Sequence, residues 1–272
     1  MKRRAGIESV RAISFDFGNT LVPLGRDDLR AVVRRMTSEV ARRSGPFDEA
    51  EFGAAWAAER ERQFAEEVPR MREVDLAQRV VRVLARMRGM EPPSRTARWD
   101  DVAAARLSAS EEVEAALTDY SRAFVDTIPT PVDVGPMLER LATRLTLGIC
   151  SNWPLAATID RFVENAGWRP HLKAIVVSQR VGAIKPDPRM FAATEAALGM
   201  EPGVILHVGD DWTADIVGAR RAGWLAAYLT SRPADSPLPA STPNDEVQPD
   251  LVLDRLADLE AFLAGSGVRP GR

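Results

Sequence analysis

Hydrophobic and polar positions change their spacing twice along the chain, and this divides it into three segments. The first segment opens with a short apolar run, Ala12–Phe15, which is followed by Asp16 and then by Gly18 and Asn19. A continuous apolar run that ends at a turn signal is typical of a buried strand. The pattern therefore predicts a strand that ends at Asp16 and a tight turn after it.

The second segment, from Asp27 to about Thr127, has helical periodicity. Apolar residues recur at helical spacing between many arginines and glutamates in four stretches: Asp28–Arg43, Asp48–Glu67, Glu73–Arg88 and Ser110–Val125. This periodicity predicts about four long helices and no strand. Their charged residues are expected to lie mostly on solvated helix faces.

From Pro131 onward, short apolar runs alternate with helical stretches. Strands are predicted at Leu145–Cys150, Ala174–Ser178, Val204–Val208, Leu225–Leu229 and Leu251–Leu253, and helices at Val134–Arg144, Leu155–Ala166, Arg189–Leu198, Ala214–Ala222 and Leu256–Leu263. Such alternation predicts an α/β fold with a doubly wound parallel sheet. The expected domains are residues 1–24 with 128–272, interrupted by a helical domain at 25–127. Ser231–Gln248 is rich in Pro, Ser and Asp and is expected to be a mobile surface loop.

Composition and charge narrow the class of protein. The 272 residues are 45% hydrophobic and 28% charged, with a formal net charge of −3. This composition is ordinary for a soluble protein, and the small negative net charge gives no sign of a nucleic-acid binder. No apolar segment approaches the roughly 20 residues that a membrane-spanning helix needs. A single cysteine, Cys150, and an amino terminus unlike a signal peptide favour a cytoplasmic location.

Polar residues follow four of the predicted strands. They are Asp16, Ser151 with Asn152, Lys185, and Asp210 and Asp211 with Asp215. Because parallel strands have their carboxyl ends at one edge of a sheet, these side chains are expected to converge there. Lys185 is one of only three lysines in a chain that otherwise uses arginine for its positive charges. A lysine in such a chain indicates a position where the compact ammonium group is needed, because a planar guanidinium does not reproduce it.

This set of side chains suits phosphoryl transfer through an aspartyl phosphate. In that interpretation Asp16 attacks phosphorus, and Mg²⁺ held by Asp16 and Asp210 neutralises the approach of two anions. The phosphate oxygens are expected to bind Thr20, Ser151, Asn152 and Lys185. The alternative interpretation of the first segment alone is an aspartate that ends a strand and caps a turn.

Four stretches resemble, in order, the four motifs of the haloacid dehalogenase-like hydrolase superfamily. They are FDFGNTL, with Asp16 and Thr20; ICSN, with Ser151; AIKPDPRMF, with Lys185; and HVGDDWTADIVGARRAG, with Asp210 and Asp215. The resemblance covers nearly the whole chain. It implies a Rossmann-like core with a helical C1-type cap, which closes over the site and selects the substrate. It also implies a small phosphorylated metabolite as the substrate, and Mg²⁺ bound by Asp16, Gly18, Asp210 and Asp215.

One departure from the family pattern concerns Gly18. Phosphatases of the superfamily usually carry an aspartate at this position, which protonates the leaving group and activates the attacking water. The carbonyl of Gly18 can still bind Mg²⁺, but an acid–base role worth about 10²–10⁴-fold in rate is lost. Three explanations stay open: a good leaving group such as an acyl or anomeric phosphate, a proton from the cap or from water, or a slow or degenerate enzyme.

Two other functions are weighed against a phosphatase. A haloacid dehalogenase would use Asp16 to attack carbon and would need no metal, which the acidic cluster of Asp210, Asp211 and Asp215 argues against. A binding or regulatory protein could keep the phosphate site without turnover.

The roles of two further residues differ in how closely the sequence defines them. Asp211 is either a metal ligand, a helix cap or a partner of Lys185, and His207 is expected to be structural.

Overall fold

Six parallel strands form one sheet in the order β3-β2-β1-β4-β5-β6. The strands are β1 (Ala12–Phe15), β2 (Thr146–Ser151), β3 (Ala174–Val177), β4 (Ile205–Gly209), β5 (Leu225–Leu229) and β6 (Leu251–Leu253). This architecture comes from a computed structural model that describes residues 6–92 and 106–265. It confirms the predicted α/β fold with a parallel sheet.

Most of the described helices coincide with the predicted stretches, although the short helix Ser178–Val181 was not predicted. In chain order they are α1 (Arg26–Ser44), α2 (Glu49–Glu67), α3 (Leu76–Met87), α4 (Ser110–Thr127), α5 (Val134–Ala142), α6 (Ala156–Asn165), α7 (Ser178–Val181), α8 (Pro188–Leu198), α9 (Gly218–Arg221) and α10 (Asp258–Gly265). The chain divides into an α/β unit, Met1–Arg26 with Thr130–Arg272, and a helical unit, Asp27–Pro129. The sequence placed these divisions after residues 24 and 127.

The register of the sheet aligns the ends of its central strands. Phe15 of β1 lies opposite Ile149 of β2 on one side and Val208 of β4 on the other. The chain leaves β1 at Asp16, whose backbone N–H donates to the carbonyl of Val208 at 2.9 Å. With β1 between β2 and β4, this edge is the point where the strand order reverses, and open α/β sheets bind ligands there.

Aromatic side chains fill the layers beside the sheet. Phe191 and Trp224 meet edge to face, with ring centroids 5.2 Å apart, and Phe17 and Phe162 do so at 5.4 Å. All four side chains are at most 1% exposed. Such contacts hold the strand ends in a rigid frame.

The predicted helix over Ala214–Ala222 differs from the structure. Trp212–Val217 forms a π-helical turn, and α9 follows it. π-helical turns occur often at functional sites because they displace one side chain from the regular α-helical positions. Here the turn carries Asp215.

The helical unit has its own core, built on a stack of aromatic rings. Phe47, Phe52, Trp56 and Tyr120 follow one another with ring centroids 6.1–6.4 Å apart. The side chains of Asp48 and Asp75 accept backbone N–H bonds at the starts of α2 and α3, which fixes where these helices begin.

Some charged residues of the helical unit depart from the expected solvated faces. Glu59, Arg79 and Arg82 are only 1%, 4% and 6% exposed.

Within the described residues, no helix is long and apolar enough to cross a membrane.

Candidate active site

Asp16 stands at the end of a fully buried strand, at the start of a tight turn. The N–H groups of Leu21 and Val22 both donate to the carbonyl of Phe17, at 3.0 and 2.9 Å. Asn19 lies in the left-handed region with a φ of 60°, a conformation that asparagine tolerates better than most residues. The local sequence thus stops the strand and leaves the Asp16 side chain at the sheet edge.

Lys185 joins the predicted nucleophile to the fourth motif. Its Nζ donates to Oδ1 of Asp16 at 2.8 Å, to Oδ1 of Asp215 at 2.6 Å and to the carbonyl of Cys150 at 2.6 Å. The Lys185 side chain is 1% exposed. A buried ammonium satisfied by three acceptors is a fixed positive charge in the floor of the site.

The four predicted acids of the site differ in exposure and in role. The Asp16 side chain is 12% exposed, whereas those of Asp210 and Asp215 are 5% and 2% exposed. Of these three carboxylates, Asp16 is therefore the one that a substrate can reach most easily. The fourth acid, Asp211, caps the following turn, since its Oδ1 accepts from the N–H of Ala214 at 2.7 Å.

Asp215 is held on both of its oxygens. Its Oδ1 lies 3.1 Å from Nε2 of His207 in addition to Lys185, and its Oδ2 accepts from the N–H of Asp211 at 2.9 Å. His207 is fully buried and its Nδ1 lies 3.1 Å from the hydroxyl of Ser14. These contacts are those of the structural histidine that the sequence predicts.

Ser151 is the last residue of β2 and Asn152 follows it, but only one of the two side chains has hydrogen-bond partners in the part of the chain that the structure describes. The Ser151 hydroxyl is buried and has no hydrogen-bond partner among the described residues. The Asn152 amide is occupied, because it donates to the carbonyl of Lys185 at 3.1 Å and accepts from the N–H of Lys185 at 2.7 Å. Ser151 is thus available to an incoming oxygen, while the Asn152 side chain holds the Lys185 loop in place.

Thr20 and Gly18 lie on the turn after Asp16. The Thr20 hydroxyl donates to Oδ1 of Asp210 at 3.3 Å, which links the first motif to the fourth. Gly18 is buried, and a Cβ built there would lie 2.8 Å from Cδ1 of Leu238. The first motif is therefore packed on its outer side by a residue that no motif contains.

Burial and crowding of like charges perturb the acids of the site. Burial, together with the negative charges of Asp16 and Asp215, raises the pKa of Asp210 to about 8. Burial also raises the pKa of Asp16, although Lys185 opposes this. For Asp215, burial is outweighed by the charge of Lys185 and the hydrogen bond from His207, so its pKa lies well below the usual range.

The arrangement of these acids fits a divalent cation. Asp16, Asp210 and Asp215 each offer a carboxylate oxygen, and these oxygens all lie within 4.8 Å of one another. Oxygen donors of this kind are the ligands that Mg²⁺ prefers. The raised pKa of Asp210 also indicates a cation site. A third negative charge beside Asp16 and Asp215 is unfavourable unless a cation binds there.

The segment between β5 and β6 contributes to the site, which the sequence did not predict. Nη1 of Arg232 donates to Oδ2 of Asp210 at 2.9 Å, and Nη2 donates to the carbonyl of Leu238 at 3.0 Å. The hydroxyl of Ser241 donates to Oδ1 of Asp211 at 2.7 Å. The position of this segment in the chain could have predicted its contact with the site. A connection that leaves β5 starts at the same edge of the sheet as the motif residues.

Cys150 is buried beneath the site and takes no part in this surface. Burial raises the pKa of its thiol to about 11, so the thiolate form is strongly disfavoured. The burial agrees with the place of Cys150 in the predicted strand Leu145–Cys150.

Comparison with known proteins identifies the family. A family model described as haloacid dehalogenase-like hydrolase matches residues 10–223. The chain therefore belongs to the haloacid dehalogenase-like hydrolases.

Particular relatives match part of the chain. The haloacid dehalogenase-like hydrolase domain-containing protein 3 of Mus musculus is 32% identical over 120 residues, which are 43% of this chain and 47% of the relative. A phosphoserine phosphatase of Thermus thermophilus is 39% identical over 102 residues, 36% of each chain. The chain thus spans about half the length, or less, of these curated relatives.

A solved structure matches nearly the whole fold. The 2-haloacid dehalogenase of Pseudomonas syringae pv. Tomato superposes with a TM-score of 0.62 over 94% of this chain and 99% of its own. The two sequences are 18% identical, so this similarity concerns the fold alone.

Proposed function

We propose that this chain is a Mg²⁺-dependent phosphatase of a small phosphorylated metabolite, and that it works through an aspartyl phosphate on Asp16. The observation that carries the proposal is the joining of Asp16, Lys185 and the acids of the fourth motif at one edge of the sheet. The similarity to a phosphoserine phosphatase supports the same chemistry.

In the first step the Asp16 carboxylate attacks phosphorus, and the bond between phosphorus and the leaving oxygen breaks. Lys185, held at 2.8 Å from Asp16, is placed to attract the phosphoryl oxygens towards the nucleophile. The Ser151 hydroxyl, which is buried without a partner among the described residues, is the natural donor to one of these oxygens. Thr20 is the second hydroxyl on the same edge.

In the second step water attacks the phosphorus of the aspartyl phosphate and restores the Asp16 carboxylate. Asp210 and Asp16, with the carbonyl of Gly18, would hold Mg²⁺, and Asp215 completes the acidic cluster. When bound, the ion supplies charge neutralisation at the phosphoryl group. Asp215 also fixes Lys185 through its Oδ1.

Asn152 has a different part in this proposal from the phosphate contact that the sequence predicts. Its amide is paired with the backbone of Lys185 on both sides. We assign it to positioning Lys185, since a direct phosphate contact would cost these two hydrogen bonds.

The helical unit is inserted between β1 and β2, where the family resemblance puts a C1-type cap. We propose that Asp27–Pro129 is that cap and that it selects the substrate.

Attack on carbon, as in a haloacid dehalogenase, is the competing reaction on this fold. It needs no cation, so the clustering of Asp210 with Asp16 and Asp215 would then serve no metal. Phosphatase activity explains this clustering.

A turnover assay with and without Mg²⁺ tests the proposal. Purified protein is given acetyl phosphate, sugar 1-phosphates and alkyl phosphates, and a haloacid with halide release as the readout. We expect metal-dependent phosphate release that falls by at least about 10⁴-fold in Asp16→Asn. Calorimetric Mg²⁺ binding that weakens in Asp210→Asn supplies a readout apart from activity. Halide release without metal, or no turnover on any ester, would overturn the proposal.

A further inference from the structure

The space beside Gly18 is filled by carbon atoms. A Cβ built on Gly18 lies 2.8 Å from Cδ1 of Leu238, 3.4 Å from Cδ1 of Leu24 and 3.5 Å from Cζ3 of Trp153. Carbon atoms in favourable contact lie about 3.5–4.0 Å apart, so the Leu238 methyl group occupies the place where a side chain at position 18 would begin.

The backbone at Gly18 is not what keeps a side chain out. Gly18 is not among the residues with a positive φ, so an L-amino acid can adopt its conformation. Leu24 is fully buried and Trp153 is 4% exposed and packs edge to face on Phe17, so neither can move aside easily. Leu238, which is half-buried, is the residue that decides whether position 18 can carry a side chain.

Leu238 is held in this place by polar contacts of its own carbonyl and of Ser236, two residues before it. Its carbonyl accepts from Arg232, which is itself paired with Asp210. Asn19, next to Gly18, donates to the hydroxyl of Ser236 at 3.0 Å. The segment that carries Leu238 is therefore bonded to the first and the fourth motifs, and the apolar wall is part of the site.

We propose that Leu238 takes the place of an acid–base side chain at position 18. The site therefore acts on phosphoryl compounds whose leaving group departs as a stable anion, as it does in acyl phosphates. This inference rests on the proposed function. In the first step the bond from phosphorus to the leaving oxygen breaks, and the electron pair stays on a carboxylate that needs no proton. In the second step the Asp16 carboxylate is itself the leaving group, and the attacking water leaves its proton on the released phosphate.

The test compares four proteins on a graded set of substrates. The proteins are the wild type, Gly18→Asp, Gly18→Asp with Leu238→Ala, and Gly18→Asn with Leu238→Ala. The substrates are acetyl phosphate, 4-nitrophenyl phosphate, phenyl phosphate and butyl phosphate, whose leaving groups are progressively less acidic. The Asn double variant is the matched control, because it has the shape of the Asp double variant and no acid.

For the wild type we expect kcat/KM to fall steeply from acetyl phosphate to butyl phosphate, by at least about 10²-fold, since no enzyme group protonates the alkoxide. The Asp double variant is expected to gain about 10²–10⁴-fold on butyl phosphate and to acquire a loss of rate at alkaline pH. Gly18→Asp alone is expected to gain much less, because its side chain meets Leu238, and the Asn control is expected to gain nothing.

Thermal unfolding tests, independently of turnover, whether Leu238 fills the place of a side chain at position 18. Leu238→Ala alone is added to the set for this measurement, which completes a double-mutant cycle. Gly18→Asp should lower Tm in the wild-type background and should lower it less in the Leu238→Ala background. Additive changes in Tm, or equal gains for the single and double Asp variants, would overturn the role of Leu238. A wild type equally active on acetyl and butyl phosphate would overturn the substrate class alone, whereas no turnover on any ester overturns the proposed function with it.

Discussion

The two units of this chain bury charge in opposite proportions. In the α/β unit three carboxylates, Asp16, Asp210 and Asp215, lie in one cluster. A buried lysine contacts the first and the third of them, and Arg232, with a side chain that is 20% exposed, contacts the second. In the helical unit one buried carboxylate, Glu59, pairs with three arginines, Arg62, Arg82 and Arg86. The first cluster has an excess of negative charge and the second an excess of positive charge.

The difference shows why a buried charge is not in itself a functional site. Around Glu59 the carboxylate accepts from Arg62 within α2 and from Arg82 of α3, so the cluster fixes how these helices pack. Around Asp16 the negative charges outnumber their partners, and one of the carboxylates is accessible. An unmatched, accessible charge at the end of parallel strands is what a cation and a phosphoryl group can use.

The largest effect is expected from removing the lysine of the acidic cluster. Lys185→Met leaves Asp16 and Asp215 buried without the ammonium that both contact, which should cost about 3–5 kcal/mol in the free energy of unfolding. Turnover should fall by at least about 10²–10³-fold, since a phosphoryl-binding charge is lost. Urea unfolding and kcat measure the two effects.

The matched control is Lys173→Met. Lys173 is the other described lysine, exposed and bonded to the carbonyl of Leu198 at 2.7 Å. It should cost less than about 1 kcal/mol, the range of an exposed pair or a single hydrogen bond. If Lys185→Met kept wild-type turnover, the acidic cluster would be structural and the contrast between the two units would disappear.

Removal of Glu59 should affect stability and leave the chemistry alone. Glu59→Gln removes the carboxylate that is shared by Arg82 and Arg62, whose own side chains are 7% and 11% exposed. We expect a loss of about 3 kcal/mol in the free energy of unfolding, because breaking a buried pair leaves uncompensated charge. The kcat of the remaining folded protein should stay within a few-fold of the wild type.

Glu66→Gln is the control for burial at the same helix. Glu66 binds Arg62 at 2.6 Å and Glu59 binds it at 2.7 Å, but the Glu66 side chain is 26% exposed. The expected loss is less than about 1 kcal/mol. Equal losses in the two variants would show that burial does not set the strength of this network.

Much of this contrast could be predicted from the sequence, because it depends on short-range patterns. The apolar run before Asp16 predicted both the strand and its end, and the sheet order then brought Lys185 and Asp215 to Asp16. The π-helical turn at Asp215 was not predicted, because its helical periodicity resembles that of an α-helix over so few residues.

Contacts that depend on long loops or on burial could not be predicted in the same way. Leu238 and Gly18 are distant in sequence, and Ser231–Gln248 has no periodicity that would indicate where it packs. The burial of Glu59 did have a signal. Phe52, Trp56, Glu59 and Gln63 lie on one stripe of α2, so the polar residues continue an apolar face.

The smallest effect is expected from the pH dependence of the Glu59 network. Burial acts to raise the pKa of Glu59, but the hydrogen bonds and charges of Arg82 and Arg62 outweigh it and hold the pKa below its ordinary value of 4.5. A carboxyl group with a lowered pKa stabilises the folded state at pH values above 4.5, and this contribution is lost as the pH falls through the folded value.

The difference in unfolding free energy between the wild type and Glu59→Gln should therefore be constant between pH 7 and about 5.5 and should shrink on further acidification. The shrinkage is at most about 1.4 kcal/mol for each pH unit, since a single proton is involved. Urea unfolding of both proteins across this range measures it, and the subtraction removes the effect of all other titrating groups. A difference that stays constant down to pH 3.5, or grows on acidification, would show that Glu59 acts through its packing and not through its charge.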